Sequence, residues 1–333
     1  MTKFVAYLVT TYVSSLVFGK FAIAALKKLR AGQPILSYVE EHKSKQGTPT
    51  MGGIVFVAPP IVAYFSFFGF ESVYALFTAA LAVTFALIGF FDDFIKIKFG
   101  KNEGLKPWQK TVFLSAASLV GAVFIMRQHT TSAYIPFTAK AVDLGFWSFP
   151  LSLFVFLAAT NCVNLTDGLD GLAGSVGGVA LFFVALITVL QVTLFGNNYA
   201  SGGELISLSA FCFGMVAAIA GFLAYNVNKA SVFMGDAGSL ALGGVIAFAF
   251  LISGNALYLP FIGWAFVLSG ASVIIQVLHY KRTKKRVFLM APLHHHFQHK
   301  GYGEAKITFV YASITAVMGI VCAAAYVGSI NVF

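Results

Sequence analysis

The chain has 333 residues, of which 59% are hydrophobic and only 10% are charged. Its mean hydropathy is +0.85, and a water-soluble domain could not bury so many hydrophobic residues in its core. The sequence therefore predicts a polytopic membrane protein. The formal net charge of +10 is carried by short basic clusters between apolar segments, a placement that membrane topology explains. We therefore expect membrane lipids, and no nucleic acid, among the partners of this chain.

Apolar segments of about 20 residues can span the hydrocarbon. Ten segments of the chain meet that length approximately: 4–26, 51–70, 73–91, 110–127, 149–165, 174–195, 204–225, 238–253, 257–280 and 305–328. The sequence thus predicts an all-α polytopic membrane protein with about ten transmembrane helices in a single domain over residues 1–333. Residues 128–148 carry β-branched and aromatic residues that predict a small surface hairpin.

The distribution of charge predicts the topology. Eighteen of the 22 Lys and Arg residues lie in or beside the loops that follow the odd-numbered segments. Because cytoplasmic loops carry the excess of basic residues, these five loops are expected inside and both termini outside. Nine of the 12 acidic residues lie on or at the edge of the same face. A positive-inside bias does not predict acidic residues there, so we infer that they serve a function.

Two adjacent carboxylates, Asp92 and Asp93, end the third apolar segment. An ionised carboxylate in or beside hydrocarbon costs several kcal/mol unless it is compensated, so the pair suggests a cation site. If the helix continues, Asp92 and Lys96 are i,i+4 neighbours while Asp93 points about 100° away. The alternative is a simple ion pair at the headgroups.

Two further loops have residues suited to phosphate or nucleotide binding. The Gly/Thr-rich residues 47–53, preceded by Lys43 and Lys45, could accept a phosphate at a helix N-terminus, although a helix cap explains them as well. Residues 161–174 contain two Asp-Gly pairs and no basic residue. Such polar turns can read a base edge or bind a phosphate-bound metal, with an ordinary turn as the alternative.

The last two loops add one carboxylate and three histidines. Asp236 lies at a predicted helix start, where it is either an N-cap or a third carboxylate for Mg²⁺. The basic residues 281–286 are typical of an anionic-lipid surface or a topology signal. Three successive histidines, 294–296, cannot share one helix face, so one or two of them contacting a phosphate is more plausible than a three-histidine metal site.

Five motifs in this order, one on each predicted cytoplasmic loop, resemble the phospho-N-acetylmuramoyl-pentapeptide-transferase family over essentially the whole chain. They occupy residues 47–53, 92–96, 164–173, 232–240 and 292–297. The resemblance implies a homodimeric enzyme of the bacterial cell membrane with its active site on the cytoplasmic face. It implies transfer of phospho-MurNAc-pentapeptide from UDP-MurNAc-pentapeptide to undecaprenyl phosphate with Mg²⁺, which gives lipid I and UMP in the first membrane step of peptidoglycan synthesis.

The resemblance also implies roles for individual residues. Asp92 would act on the lipid phosphate with Asp93 as its partner near the metal, Asp236 would bind Mg²⁺, and His295 would be catalytic. Phe233 would stack on uracil. The full set of implied substrate-binding residues is Lys45, Thr50, Lys96, Asn164, Asp167, Gly168, Leu169, Asp170, Asn226, Phe233 and His296.

One departure and two alternatives qualify this interpretation. Gln298 stands where the family commonly has an acidic residue, which puts a charge-based role of that position in doubt. A related polyprenyl-phosphate sugar-1-phosphate transferase that uses UDP-GlcNAc would share the carboxylate loops. A membrane transporter is disfavoured, because transporters bind near the bilayer midplane, often on repeated and broken helices, whereas here the acidic residues cluster at one face.

Overall fold

The computed structural model describes residues 1–28, 47–99, 104–138, 140–195, 201–227 and 229–330. This part of the chain folds into α-helices with one small antiparallel sheet. The helices are α1 (Thr2–Lys28), α2 (Ile54–Phe68), α3 (Val73–Phe99), α4 (Pro107–Arg127), α5 (Ser148–Thr166), α6 (Leu172–Phe195), α7 (Gly202–Asn226), α8 (Gly235–Ile252), α9 (Leu259–Ile262), α10 (Trp264–Thr283), α11 (Leu293–His299) and α12 (Glu304–Ile330).

The predicted all-α polytopic architecture is confirmed. Among the described residues, eight helices are long and apolar enough to cross a membrane: α1, α3, α4, α5, α6, α7, α8 and α12. Helices α9 and α10 together would make a ninth span. Helix α2 has 15 residues, fewer than the roughly 20 that cross the hydrocarbon unaided. The count of ten spans and the position of the termini therefore stay predictions.

The ninth predicted segment is not one straight helix. The helical stretch Ala256–Ile262, which includes α9, meets α10 at an angle of 80°, so the apolar segment predicted at 257–280 is bent. Pro260 lies in the first turn of α9 and Gly263 separates the two helices. Proline and glycine are the residues at which a helix most readily starts or breaks, but apolar length alone does not reveal the change of direction.

Helix α8 lies at the centre of the bundle. Every residue from Ala237 to Ile252 is buried, and the helix packs mainly against α3 and α5. Small residues permit this approach: a side chain at Gly243 would meet the backbone of Thr160, and one at Gly244 would meet the ring of Phe85. Close helix contacts through glycine are typical of packing in lipid. The start of α8 is thereby fixed beside the ends of α3 and α5.

The predicted hairpin between α4 and α5 is confirmed. Strands β1 (Ser132–Tyr134) and β2 (Ala141–Asp143) pair antiparallel, with Ser132 opposite Asp143.

Candidate functional site

Three carboxylates from two helices converge at one end of the bundle. Asp92 and Asp93 lie near the end of α3, and Asp236 lies in the first turn of α8. One oxygen of each lies within 4.8 Å of the others. Gly89, one turn before the pair, makes this possible, because a side chain there would overlap the backbone of Asp236. We call Asp92, Asp93 and Asp236 the carboxylate cluster.

Lys96 lies among all three carboxylates. Its Nζ is 2.6 Å from Asp92 Oδ2, 3.4 Å from Asp93 Oδ1 and 3.2 Å from Asp236 Oδ2. The Asp92–Lys96 pair expected from the spacing is present, and Lys96 also pairs with Asp93, which was not predicted. Residues three and four apart on a helix are both surface neighbours, so one flexible lysine reaches both carboxylates. This places Lys96 at the centre of the cluster.

A second lysine, Lys110, binds the cluster from the first turn of α4. Its Nζ lies 2.6 Å from Asp236 Oδ2. In the sequence, Lys110 is only one of many basic residues in or beside the predicted cytoplasmic loops. Nothing in its spacing distinguishes it from Lys106, which is exposed four residues earlier. Only the packing of α4 against the bundle identifies it as part of the site.

Asn164 orients the carboxylate of Asp236. Its Nδ2 donates hydrogen bonds to Asp236 Oδ1 at 2.8 Å and to Ser239 Oγ at 2.9 Å. Asn164 comes from the last turn of α5, so the central helix and its neighbour are joined directly at the cluster. Asp236 thus has a neutral donor on one oxygen and two ammonium groups on the other.

Backbone N–H groups hold the other two carboxylates. Leu105 N donates to Asp92 Oδ1 at 2.9 Å, and Ala237 N donates to Asp93 Oδ2 at 3.4 Å. Asp92 and Asp93 are 3% and 0% exposed, and buried carboxylates require such partners. The cluster is therefore a positioned set of oxygen atoms rather than a solvated acidic surface.

A polar cavity of about 250 Å³ adjoins the cluster and shares Asp236 with it. The cavity brings together residues from three loops that the sequence analysis assigned to the site. Its walls are Thr50, Asn164, Asp167, Gly168, Leu169, Asp170, Asn226, Phe233, Gly235 and Asp236. Because drug-sized ligands occupy roughly 300–1,000 Å³, the cavity suits one part of a larger ligand.

The hydroxyl of Thr50 indicates that this cavity binds a ligand. Thr50 is fully buried, and its Oγ1 has no hydrogen-bond partner among the described residues. Buried polar atoms of this kind are rare in folded proteins and call for an explanation. A ligand group that hydrogen-bonds Thr50 Oγ1 would supply the missing partner.

Phe233 reaches the cavity wall through pairing between two loops. Phe233 N donates to Pro49 O at 2.8 Å, and Gly52 N donates to Phe233 O at 2.8 Å. A side chain at Gly52 would collide with Phe233 O, so glycine is needed for this approach. The loop before α2 and the loop before α8 therefore form one wall.

Asn226 and Asp170 shape the cavity by joining its other two loops. Asn226 Oδ1 accepts from Gly171 N at 3.1 Å, and its Nδ2 donates to Val232 O at 2.9 Å. Asp170 Oδ2 accepts from Ala230 N at 2.9 Å. Both side chains line the cavity, but these bonds hold the loops after α5 and α7 together. Their predicted role in substrate binding stays a prediction.

Asp167 closes the cavity at the end of α5. Burial, with the negative charges of Asp236 and Asp93 nearby, raises the pKa of its carboxyl group well above the usual range. A cation or a hydrogen-bond donor in the cavity would favour the charged form.

Two of the three histidines lie beside Gly168, which lines the cavity. A side chain at Gly168 would meet Nε2 of both His294 and His295. His294 is fully buried, and burial lowers the pKa of its imidazole to about 3. His296 instead accepts a hydrogen bond from Leu289 N through Nδ1 at 3.1 Å, and none of the three histidines is among the residues that line the cavity. Lys45 lies outside the described residues.

Comparison with known proteins identifies a family model, a signature and full-length relatives that match this chain. The family described as "Glycosyl transferase family 4" matches residues 74–254, and "Phospho-N-acetylmuramoyl-pentapeptide-transferase signature 1" matches residues 45–57. Proteins named phospho-N-acetylmuramoyl-pentapeptide-transferase are similar over nearly the whole chain. One from Clostridium perfringens strain SM101 is 40% identical over 95% of this chain and 94% of that protein. One from Helicobacter acinonychis is 41% identical over 91% and 86%, and one from Thermoanaerobacter sp. strain X514 is 37% identical over 95% and 96%.

Proposed function

The chain belongs to the phospho-N-acetylmuramoyl-pentapeptide-transferase family, and on that premise we propose that it transfers phospho-MurNAc-pentapeptide from UDP-MurNAc-pentapeptide to a polyprenyl phosphate. The products are UMP and lipid I, and the acceptor is undecaprenyl phosphate. One observation carries the proposal: Asp236 belongs both to the carboxylate cluster and to the wall of the polar cavity. A nucleotide in the cavity would thus place its phosphates beside the cluster.

We propose that the cluster binds Mg²⁺ through Asp236, with Asp92 and Asp93 as further oxygen ligands. The donor set fits, because Mg²⁺ prefers hard oxygen ligands from one or two carboxylates and takes the rest from water and phosphate. Three carboxylates face the two ammonium groups of Lys96 and Lys110, so the ionised set keeps a negative charge. Bound Mg²⁺ would supply electrostatic stabilisation of the charge on the phosphates.

The transfer forms a bond between an oxygen of the lipid phosphate and the β-phosphorus of the sugar nucleotide. The bond from that phosphorus to the bridging oxygen breaks, and UMP leaves with the electron pair. Phosphoryl transfer needs positioning and charge neutralisation more than covalent help. Among the described residues, Lys96 and Lys110 place their ammonium groups against the cluster, where they could neutralise the phosphates.

Asp92 acts on the lipid phosphate by orienting it and removing a last proton. A phosphate monoester has a second pKa of about 6 and is mostly dianionic at neutral pH, so a strong base is not required. Asp92 is fixed by Lys96 and by Leu105 N, which favours an orienting role over nucleophilic attack. A radiolabelled phosphate trapped on Asp92, with UMP released before lipid is added, would contradict this assignment.

The site belongs at the membrane surface, because the isoprenoid tail stays in the bilayer while the nucleotide stays in water. The chain is a bacterial membrane protein, and we propose that the site faces the cytoplasm, where the basic loops predict it. We also propose that the protein is a homodimer, as the resemblance implies.

The decisive assay measures UMP release by the purified protein with UDP-MurNAc-pentapeptide, polyprenyl phosphate and Mg²⁺. We expect Asp92→Asn and Asp236→Asn each to reduce the rate at least about 1,000-fold, since each removes a charge that the reaction uses. Asp143→Asn, which changes an exposed carboxylate of β2, is the matched control and should keep the wild-type rate. Full activity in both cluster variants would overturn the site assignment. Faster UMP release from UDP-GlcNAc would favour the related transferase instead.

A further inference from the structure

The second half of helix α10 exposes apolar side chains. The first half packs against the bundle, and its last buried residue is Ser272. Beyond that point, five apolar or aromatic side chains are 45–60% exposed: Ile274, Ile275, Val277, Leu278 and Tyr280. Exposed apolar surfaces of this extent mark a contact with a membrane or a protein, and in a membrane protein the lipid supplies that contact. This half of α10 therefore lies in lipid.

Five basic residues follow directly, within six consecutive positions. All five side chains are exposed: Lys281, Arg282, Lys284, Lys285 and Arg286. Among the residues that the structure describes, no carboxylate lies within ion-pair distance of them. Because they come immediately after the lipid-covered half of the helix, they lie at the depth of the lipid headgroups. Anionic headgroups would supply the negative charge that the protein does not.

The chain then turns back along α10 and is held there by one side chain. Lys284 adopts a left-handed backbone conformation, with a φ of 57°, at the point of reversal. Gln276 Oε1 accepts hydrogen bonds from Val287 N and Phe288 N, both at 3.0 Å. Gln276 Nε2 donates to Phe288 O at 3.0 Å. The basic residues thus belong to an ordered turn and not to a solvated tail.

This turn places exposed apolar side chains beside the basic ones. Val287 and Leu289 are 45% and 52% exposed. Lys284 Nζ lies 5.9 Å from the centre of the Tyr280 ring, within the range of a cation–π contact. Basic and apolar side chains on one ordered segment suit a membrane surface, where the charges bind headgroups and the apolar groups enter the lipid below them. An acidic protein or a soluble phosphate would use the charges alone.

We propose that the end of α10 and residues 284–289 form a binding surface for anionic phospholipids. We call this the basic lipid surface, and it consists of the five basic residues with Val287 and Leu289, held in place by Gln276. A topology signal requires only positive charge, so it explains neither the Gln276 contacts nor the two exposed apolar side chains. The proposal goes beyond the transfer reaction, because it does not depend on what the polar cavity binds.

The measurement is the dissociation constant of phosphatidylglycerol and of phosphatidylcholine, determined by native mass spectrometry on the full-length protein in detergent. We expect wild type to bind phosphatidylglycerol at least about 20-fold more tightly than phosphatidylcholine. The triple variant Lys281→Gln, Lys284→Gln and Lys285→Gln should reduce this preference to about twofold or less, since one basic residue at a membrane surface contributes about fivefold in affinity.

The matched control removes three exposed charges from the ends of α1 and α3, through Lys27→Gln, Lys28→Gln and Lys98→Gln. This variant should keep the preference within about twofold of wild type. Equal losses in the two triple variants would show that only the general surface charge matters, and would overturn the proposal. An unchanged preference in the first triple variant would overturn it as well.

A further variant tests whether the turn must be held in place. Gln276→Leu keeps every charge and removes the three hydrogen bonds to the returning chain, so we expect it to weaken binding of phosphatidylglycerol about fivefold. The double variant Val287→Ser with Leu289→Ser, which also keeps every charge, should weaken it by a similar factor. Wild-type affinity in both of these variants would contradict an ordered lipid-binding surface.

Discussion

The carboxylate cluster and His295 each lie beside residues that line the polar cavity, but the two are built in different ways. Asp92, Asp93 and Asp236 lie on long packed helices and face ammonium groups. His295 lies on the seven-residue helix α11 and faces a neutral amide. We expect the cluster to work through charge, so that losing one charge disables it. We expect a change at the neutral contact between His295 and Gln298 to reduce the rate less.

The strongest test of the charged half of this comparison is Lys110→Met. Removing this ammonium leaves Asp236 with one fewer partner and removes a positive charge beside the phosphates, so we expect UMP release to fall about 100-fold. Lys106→Met changes an exposed lysine just before α4 and should retain nearly full activity. Equal effects of the two variants would mean that Lys110 acts only through the general surface charge.

Loss of a neutral partner of the cluster should reduce the rate of UMP release less than loss of a charged partner. Asn164→Ala removes the donor 2.8 Å from Asp236 Oδ1, and a hydrogen bond to a charged group contributes about 1.5–3 kcal/mol. We therefore expect UMP release to fall about 20-fold. Asn161→Ala, on the exposed side of the same helix, serves as the control. A loss as large as that of Asp236→Asn would show that Asn164 contacts the substrate directly.

Phe233 lines the cavity where we propose that the nucleotide binds. If its ring stacks on uracil, Phe233→Leu should weaken UMP binding about tenfold, since stacking contributes about 1–3 kcal/mol per base. The control, Phe146→Leu, changes a ring that is 73% exposed on the hairpin side of α5. Wild-type affinity in Phe233→Leu would contradict stacking of Phe233 on uracil.

The smallest expected effect concerns stability. The pKa of His294 falls from its ordinary value of 6.5 to about 3 on burial, so the folded state disfavours the proton. Stability is then complete above pH 6.5 and is lost as the pH falls towards 3, at about 1.4 kcal/mol per pH unit. The melting temperature should therefore decrease less between pH 7.5 and 5.5 in His294→Leu than in wild type.

The raised pKa of Asp167 acts in the opposite direction, because stability from that group decreases as the pH rises. It contributes to both proteins and cancels in the comparison. Identical pH dependence in His294→Leu and wild type would contradict a neutral buried imidazole.

The sequence predicted the helices, the hairpin and the Asp92–Lys96 pair, because these depend on apolar length and on short spacings. It did not predict the bend between α9 and α10, since apolar length does not record the direction of a helix. It also did not predict that α2 has only 15 residues, because the apolar segment continues beyond both ends of the helix. Lys110 was not assigned to the site either. Its partner Asp236 lies more than 100 residues away, and only packing brings the two together.

The most direct test of the site is a crystal structure of the protein grown with UMP and Mn²⁺, which replaces Mg²⁺ and has measurable anomalous scattering. We predict an anomalous peak among Asp92, Asp93 and Asp236, with the uracil ring against Phe233 in the adjoining cavity. A peak at the histidines of α11, or a nucleotide bound away from the cavity, would contradict it.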